Sequence, residues 1–294
     1  ADARCQEDWR FLKEFDPGVI LDCAAQPSAI DGYHNPTYDF TNNTLPLLHL
    51  LEHCRESSCG IVFFSTNKVY GQSAVAHRVG PLRKTAMRLE SVLPVDESCP
   101  LDGGDRSLYG ASKVMGDLMV QEWAAAFHFP AVVNRCSCLA GPWQWGKAEQ
   151  GWVAWWAIAH HLGRPLQYIG HEGRQVRDVL HVDDLAELIE AQIGEMEMTP
   201  GAEVFNVGGG IDNSLSLREC TALCQEITGK QVPIIEVATP RRADFPWYVS
   251  DITKIKARYL WAPWRSPETT LRYIDRWVRN NLDALSGLVL GNND

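Results

Sequence analysis

Short, almost entirely hydrophobic runs alternate with longer helical patterns in the first half of this 294-residue sequence. Residues 18–25 read GVILDCAA and residues 60–65 read GIVFFS. Helical patterns follow these runs at 38–56 and 107–129, before a third run at 131–136. Strands that are hydrophobic on both faces are typical of a parallel sheet covered by helices on each side. The pattern therefore predicts an α/β fold with a doubly wound parallel sheet.

The composition changes after Pro142, where five tryptophans lie close together, at positions 143, 145, 152, 155 and 156. This change predicts a first domain over residues 1–142, completed by parts of 174–208, and a smaller C-terminal lobe over 143–173 and 209–294. In the lobe, Ser216 and Glu219 have the spacing of a capping box, which predicts a helix start. Two more helices are predicted, at 250–259 and near 267–282.

The overall charge argues against two kinds of partner. The chain has 27 Lys and Arg against 37 Asp and Glu, for a net charge of −10, so we expect no nucleic-acid partner and no anionic membrane surface. The longest weakly polar stretch, 151–163, is too short to span a bilayer, and residues 1–10 lack the apolar run of a secretory signal. Nine cysteines without C-x-x-C spacing favour reduced, buried thiols in a cytoplasmic protein, and no metal site is predicted.

A glycine-rich phosphate loop is missing from the sequence. Dinucleotide-binding sheets usually open with a strand, a G-x-G-x-x-G turn and a helix. The glycine cluster at 208–210 follows a strand-like run but precedes a loop, so it lacks this context. We expect the natural protein to have residues before Ala1 that carry the first βαβ unit and the glycine turn.

Tyr109 and Lys113 form the sharpest chemical pattern, because residues at positions i and i+4 share one face of a helix. An ammonium near a phenol favours the phenolate, which lowers the phenol pKa and suits the tyrosine for general acid–base work. By itself the pair also fits a solvated tyrosine beside a surface lysine. Thr66, however, directly follows the GIVFFS run, at the strand end where parallel sheets bind their ligands.

These motifs resemble a known family. Ser65-Thr-x-x-Val-Tyr-Gly71, Tyr109-x-x-x-Lys113 and a strand near Arg135 followed by Gly141-Pro142 are similar to the extended short-chain dehydrogenase/reductases that modify nucleotide sugars, the NAD-dependent epimerase/dehydratase family. The resemblance implies a Rossmann-type sheet, NAD as cofactor, a nucleotide-sugar substrate bound by the C-terminal lobe, and a homodimer. Within the family, four further segments are similar to CDP-tyvelose (CDP-paratose) 2-epimerases, at 150–153, 173–181, 206–209 and 213–217.

The resemblance also implies a mechanism. Tyr109 would take the proton from a sugar hydroxyl while hydride leaves the same carbon for NAD, Lys113 would hold the phenolate and the nicotinamide ribose, and Thr66 would hydrogen-bond the reacting oxygen. Reduction of the transient ketone on its other face would invert the carbon, which for this subfamily is C2 of a CDP-linked dideoxyhexose. The family's 4,6-dehydratases carry an Asp-Glu pair after the threonine. Here Asn67 and Lys68 stand in its place, so water elimination is not expected.

Further residues are assigned by the same resemblance. The cofactor-binding set is Asp2, Ala24, Ala25, Gln26, Ser65, Tyr109 and Lys113, with Asn43 supporting it from a helix. The substrate-binding set is Asn67, Lys68, Gln150, Trp152, Arg177 and Arg241.

Several of these assignments have structural alternatives. Asp2 also fits a frayed terminus, and Arg177 a salt bridge to Asp178 or Asp183. The tryptophans at 152, 155 and 156 have the helical spacing of core residues. Asp183 and Asp184 fit helix-start positions better than ligand positions, and His181 fits a packed or hydrogen-bonded histidine.

The sequence leaves open two alternatives to the 2-epimerase function. One is a nucleotide-sugar 4-epimerase or dehydrogenase/reductase of the same family, and the other is a noncatalytic nucleotide-binding or scaffold protein without a glycine loop. The dimer is expected to form through the helices around 38–56 and 109–127. Because Pro46 cannot donate a backbone hydrogen bond, the first of these helices is expected to start later than in relatives.

Overall fold

The computed structural model describes residues 2–5, 9, 11–196 and 200–290. The elements of its first half are α1 (Phe11–Phe15), β1 (Val19–Asp22), α2 (Ala29–His34), α3 (Pro36–Ser57), β2 (Gly60–Thr66), α4 (Gln72–Val79), β3 (Arg83–Lys84), β4 (Leu89–Glu90), α5 (Leu108–Phe127), β5 (Pro130–Cys136) and β6 (Cys138–Ala140). The second half contains α6 (Trp152–Leu162), β7 (Leu166–Ile169), β8 (Val176–His181), α7 (Val182–Gly194), β9 (Gly201–Val207), β10 (Ser214–Ser216), α8 (Leu217–Thr228), β11 (Ile234–Val237), β12 (Trp247–Tyr248), α9 (Thr253–Tyr259), α10 (Pro267–Asn280) and α11 (Leu282–Leu290).

The central sheet is parallel, with the strand order β1-β2-β5-β9. Phe63 of β2 packs in one hydrophobic cluster with α3 and α5, whereas the preceding Val62 packs in another cluster with α7 and α9. Since successive strand residues point to opposite faces, helices cover both sides of the sheet. The predicted doubly wound α/β fold is confirmed. Within the described residues the other edge of β1 is unpaired, and Leu21 there is 44% exposed.

Helix α3 runs without a break through Pro46, so the prediction of a later start is wrong. Asn35 caps its first turn by accepting a hydrogen bond from the Tyr38 N–H, and Pro36 occupies a first-turn position that needs no donor. Leu47, Leu50 and Leu51 are buried in the core, and this burial offsets the backbone hydrogen bond that the proline lacks.

Smaller sheets and a second core lie beyond β5. Strand β8 pairs with β10 and β12 and also with β6, and β7 pairs with β11. Helices α6, α8 and α10 share one hydrophobic cluster. Because β8 joins β6 to strands from later in the chain, the structure has no simple break near residue 142, and the division into the two predicted domains stays a prediction.

The local predictions for the second half are mostly confirmed. The capping box of α8 is present, with Ser216 and Glu219 satisfying each other's backbone amides. Helix α7 starts at 182, so Asp183 and Asp184 lie in its first turn, and His181 is buried and accepts a hydrogen bond from the Asp183 N–H. The helix predicted near 267–282 is confirmed as α10, which ends at Asn280, but it is not the final one, because α11 follows.

The glycine cluster is used for packing. A Cβ on Gly208 would lie 2.0 Å from Asp178 Oδ2, and one on Gly209 would lie 2.1 Å from the Val179 carbonyl oxygen. The Gly210 N–H donates to the same Asp178 carboxylate at 3.2 Å. A short 3-10 turn follows at 211–213, as the absence of a helix signal predicted.

Among the described residues, every helix is either too short or too polar to cross a membrane. Every cysteine is a free thiol, but Cys5 and Cys23 are exposed, so the prediction of buried thiols is wrong for these two.

Candidate active site

A cavity of 740 Å³ opens at the carboxyl end of β2, and the three predicted catalytic residues line it. Thr66 is the last residue of β2, while Tyr109 and Lys113 lie one turn apart near the start of α5. Ser107 starts this helix by accepting a hydrogen bond from the Gly110 N–H. The edge of the sheet thus places a hydroxyl, a phenol and an ammonium around one space.

The Tyr109 phenol is 9% exposed, and burial raises its pKa to about 12, against the lowering effect of a hydrogen bond with Thr66. The sequence predicted that Lys113 would lower this pKa. In the structure burial dominates, and the main electrostatic partners of Lys113 are Asp22 and the Cys136 thiol, followed by other carboxyl groups. Tyr109 therefore holds its proton at neutral pH, and lowering its pKa requires a further change in its surroundings.

Lys113 is 2% exposed, and burial lowers its pKa to about 8 even though Asp22 and two other carboxyl groups oppose this shift. Its Nζ lies 4.0 Å from the centroid of the Phe63 ring. It donates no hydrogen bond to any residue that the structure describes. An ammonium at a cavity wall with unused donors fits the hydroxyls of a ribose, so the residues present suit a dinucleotide.

A buried polar network stands behind this helix, and sequence reasoning named only Asn43 and Gln26 of it. Asp39 of α3 is 1% exposed and accepts hydrogen bonds from Ser112 Oγ at 2.9 Å and Gln26 Nε2 at 2.7 Å. Asn43 donates to Ser112 at 2.9 Å and accepts from the Gln26 N–H at 2.7 Å. Because Ser112 precedes Lys113, the network fixes the helix turn that carries the ammonium. Partners this far apart in sequence give no local signal.

The predicted cofactor residues fall into two groups. Ala25 and Ser65 line the cavity with Tyr109 and Lys113. Asp2, Ala24 and Gln26 do not line it: Asp2 pairs with Arg4 at 2.5 Å, and the Gln26 side chain bonds to Asp39. Ser65 Oγ donates to Asp117 at 2.7 Å.

A second cavity of 470 Å³ adjoins the first and shares Asn67, Lys68, Trp152, Arg241 and Asp244 with it. Arg177 lines only this second cavity, and Gln150 lines only the first. The predicted substrate residues therefore lie around two connected spaces.

Asp244 joins the cations of the second cavity. It accepts hydrogen bonds from Lys68 Nζ at 3.2 Å and Arg177 Nη2 at 2.6 Å. Burial raises the pKa of Asp244, but the two cations outweigh burial and hold the pKa well below its usual range. Arg177 therefore forms a salt bridge, as the structural alternative predicted. Its partner is Asp244, so the predicted partners Asp178 and Asp183 are wrong.

The tryptophans of α6 belong to both the core and the second cavity. Trp156 is 5% exposed and donates from Nε1 to Thr221 Oγ1 at 2.9 Å, while Trp152 donates to Cys138 Sγ at 3.3 Å. Both line the second cavity with Trp155. These indoles provide an apolar surface for a flat ring in the cavity that Lys68 and Arg177 also line.

A doubly wound sheet whose carboxyl edge carries a buried Tyr-x-x-x-Lys pair defines an α/β enzyme that works with a dinucleotide. Residues 5–208 match the model of the NAD dependent epimerase/dehydratase family. The chain belongs to this family, which confirms the predictions of an enzyme and of NAD as its cofactor.

Individual proteins and solved structures are also similar to this chain over most of its length. The chain is 31% identical over 276 residues to the CDP-paratose 2-epimerase of Salmonella typhi, covering 92% of this chain and 80% of that protein. It is 29% identical to the UDP-glucose 4-epimerase of Azospirillum brasilense, covering 86% and 70%. Among solved structures, the UDP-glucose 4-epimerase of Thermus thermophilus, in complex with NAD, superposes with a TM-score of 0.76 at 27% identity, covering 95% and 83%.

Proposed function

We propose that this protein is a nucleotide-sugar epimerase that inverts C2 of a CDP-linked dideoxyhexose by transient oxidation and re-reduction. One observation carries the proposal: Thr66, Tyr109 and Lys113 converge on a cavity that connects with a second, cation-lined and indole-lined cavity. The first space suits the chemistry at a sugar carbon, and the second suits a nucleoside diphosphate. The relative at 31% identity, named a CDP-paratose 2-epimerase, supports the choice of sugar and nucleotide.

Three side chains would handle the reacting oxygen. The Tyr109 phenolate accepts the proton of the sugar hydroxyl, and the Thr66 hydroxyl donates a hydrogen bond to the oxygen as it becomes a carbonyl. The Lys113 ammonium stabilises the phenolate and binds ribose hydroxyls of the cofactor. NAD, when bound, supplies reversible two-electron oxidation of the sugar carbon. Tyr109 then returns the proton once the carbon has been reduced on its other face.

Ala25, Ser65 and Lys113 are the cavity-lining residues that we assign to the cofactor. We keep Asp2, Ala24 and Gln26 in that set only on the resemblance, since none lines the cavity. For the substrate, Lys68, Arg177 and Arg241 supply charge for a diphosphate, and Trp152 supplies a flat apolar face for the base. Asn67, which lines both cavities, and Gln150, which lines only the first, complete the substrate set.

A dehydratase function is disfavoured because this chain lacks the acid–base pair that the family's dehydratases carry after the threonine. Asn67 has no ionisable group, and Lys68 points its ammonium at Asp244, 3.2 Å away. A 4-epimerase is the second candidate, because the Azospirillum brasilense and Thermus thermophilus relatives carry that name. A noncatalytic scaffold would have no need for the buried Lys113 ammonium, which has no hydrogen-bond partner among the residues that the structure describes and is therefore costly.

We also propose a homodimer formed through α3 and α5. Large apolar side chains on these helices are exposed, with Tyr38 at 43%, Phe40 at 47% and Leu118 at 45%. Such a surface is typical of an interface between subunits.

The test is incubation with CDP-paratose in deuterated solvent, without added NAD, followed by NMR of the sugar. Epimer formation with no deuterium at C2 is expected, because the hydrogen that leaves the carbon returns to it. Deuterium at C2 would point to proton abstraction and contradict the mechanism. A stoichiometric rise in absorbance at the NADH band would indicate a dehydrogenase, and inversion at C4 of a UDP-sugar in place of C2 would indicate the second candidate.

A further inference from the structure

The Tyr33 hydroxyl is a shielded polar group without a partner. Tyr33 lies near the end of α2 and lines the 740 Å³ cavity. Its oxygen is buried and has no hydrogen bond to any residue in the described part of the chain. A buried hydroxyl without a partner is costly, and such groups are rare unless they serve a ligand.

Helix α2 packs against the first turn of α5, which carries Tyr109. Gly32, the residue before Tyr33, packs so tightly that a Cβ there would lie 3.3 Å from the Tyr109 backbone nitrogen and 3.0 Å from Asp39 Oδ1. The Tyr33 side chain therefore projects from a segment that touches the first turn of α5. It shares the cavity wall with Tyr109 and Thr66.

Arg242 contacts the ring of Tyr33 at the cavity. Its guanidinium carbon lies 5.4 Å from the centroid of the Tyr33 ring, within cation–π range. Arg242 also lines the cavity, and it belongs to the same loop as Arg241 and Asp244, which reach the second cavity. A different loop also contacts α2, since Lys147 Nζ lies 3.4 Å from Asp31 Oδ2. Tyr33 thus lines the same cavity as Thr66 and Tyr109 and contacts the loop that carries Arg241 and Asp244.

We propose that Tyr33 is a specificity-determining residue whose hydroxyl hydrogen-bonds a hydroxyl of the sugar moiety, with Arg242 positioning its ring. The proposal rests on the proposed function, because it requires a nucleotide sugar in these cavities. The donor and acceptor capacity of a phenol matches a sugar hydroxyl, which both donates and accepts. The nucleotide itself is bound in the second cavity, which Tyr33 does not line.

The test compares the binding of CDP-glucose and CDP to the wild-type protein and to Tyr33→Phe by isothermal titration calorimetry. We expect about tenfold weaker binding of CDP-glucose to the variant and unchanged binding of CDP, since one hydrogen bond to the sugar is lost. Tyr273→Phe is the matched control: Tyr273 also has an arginine over its ring, Arg276 at 5.9 Å, but does not line the cavity, so both affinities should stay at the wild-type values. Equal binding of CDP-glucose by Tyr33→Phe and the wild type would overturn the proposal.

Two further readouts separate this inference from its alternatives. Because the Tyr33 hydroxyl has no partner within the described ranges of the chain, Tyr33→Phe should not lower Tm. A marked fall in Tm would show a structural role and contradict the proposal. Arg242→Gln should also weaken CDP-glucose binding selectively. Binding needs no turnover, so selective loss of affinity in a protein that fails to epimerise any sugar would overturn the proposed function and leave the role of Tyr33 intact.

Discussion

The Asp117 carboxylate of α5 accepts two hydrogen bonds from the Arg135 guanidinium of β5, at 3.0 Å from Nε and 2.9 Å from Nη2. Both side chains are buried, at 0% and 5% exposure. Ser65 donates to the same carboxylate, and Arg135 donates to the Tyr70 hydroxyl at 3.2 Å. The pair thus links the helix that carries Tyr109 to two strands of the central sheet.

Asp117→Asn should lower the free energy of unfolding by about 3–5 kcal/mol, because the buried Arg135 charge is left without its counter-ion. Urea unfolding followed by circular dichroism measures the change. Glu268→Gln is the control, since Glu268 pairs with Arg272 at 2.8 Å on the surface and its loss should cost no more than about 0.5 kcal/mol. A loss below about 1 kcal/mol for Asp117→Asn would show that Arg135 finds another acceptor.

Lys113→Met should stabilise the fold while abolishing activity. Burial lowers the pKa of Lys113 from 10.5 to about 8, so below pH 8 the folded protein carries a buried charge that the unfolded chain leaves in water. The cost is of the order of 3 kcal/mol. Between pH 8 and 10.5 the unfolded chain binds more protons than the folded one, so the stability of the wild type rises with pH.

The stability difference between Lys113→Met and the wild type is therefore expected to be largest below pH 8 and to shrink toward pH 10.5. Urea unfolding at pH 7 and pH 9.5 tests this trend. Lys84→Met, at a lysine that is 56% exposed, should change stability little at either pH. A destabilised Lys113→Met would mean that the ammonium contributes to the fold, which would weaken its assignment to a ligand.

The parts of this molecule that follow local rules could be predicted from the sequence. The runs around Ile61 and Val132 indicated the strands, and the Ser216–Glu219 spacing indicated a helix start, because periodicity and capping depend on neighbouring residues. Pro46 misled the prediction because burial against α5 overrides a local backbone preference. Tertiary packing therefore determined the course of helix α3 at this proline.

Only those residues of the candidate site that belong to a recognisable sequence motif could be predicted. Thr66, Tyr109 and Lys113 have motif positions and do line one cavity. The partners of the cations did not follow from sequence, since Asp244 lies 176 residues from Lys68. The direction of the Tyr109 pKa also depends on burial, which spacing on a helix cannot supply.

Tyr109→Phe should lower turnover by about two to four orders of magnitude and leave the binding of CDP-glucose within about twofold of the wild type, since only the proton-transferring oxygen is lost. For the wild type, the rate is expected to rise with pH below about 8, because the pKa of Tyr109 lies near 12 and the phenolate fraction grows with pH. Above about 8, Lys113 loses its proton and with it the charge that we propose stabilises the phenolate, so the rise should stop. Steady-state kinetics from pH 6 to 10 measure both the rise of the rate and the pH at which it stops. Undiminished turnover by Tyr109→Phe would show that Tyr109 is not the acid–base residue.

Leu118→Asp should convert the proposed dimer into monomers. Leu118 is 45% exposed on α5, and a carboxylate there would be desolvated at the interface without a partner. Size-exclusion chromatography with light scattering measures the mass. Val92→Asp, at a residue that is 88% exposed outside α3 and α5, should leave the mass unchanged. A monomeric wild type would refute the proposed dimer directly.

Lys68→Gln should weaken the binding of CDP about tenfold, because the variant keeps most of the length of the side chain but loses one cation from the wall shared by the two cavities. Asp244 holds Lys68 and Arg177 together, so its carboxylate would be left with Arg177 alone in the variant. Lys254→Gln is the control, since that lysine lines neither cavity. Titration calorimetry at two salt concentrations should also show a weaker salt dependence for Lys68→Gln. Equal affinities and equal salt dependence would assign Lys68 to structure, through its contact at 4.4 Å from the Phe245 ring centroid, and would leave the diphosphate to Arg177 and Arg241.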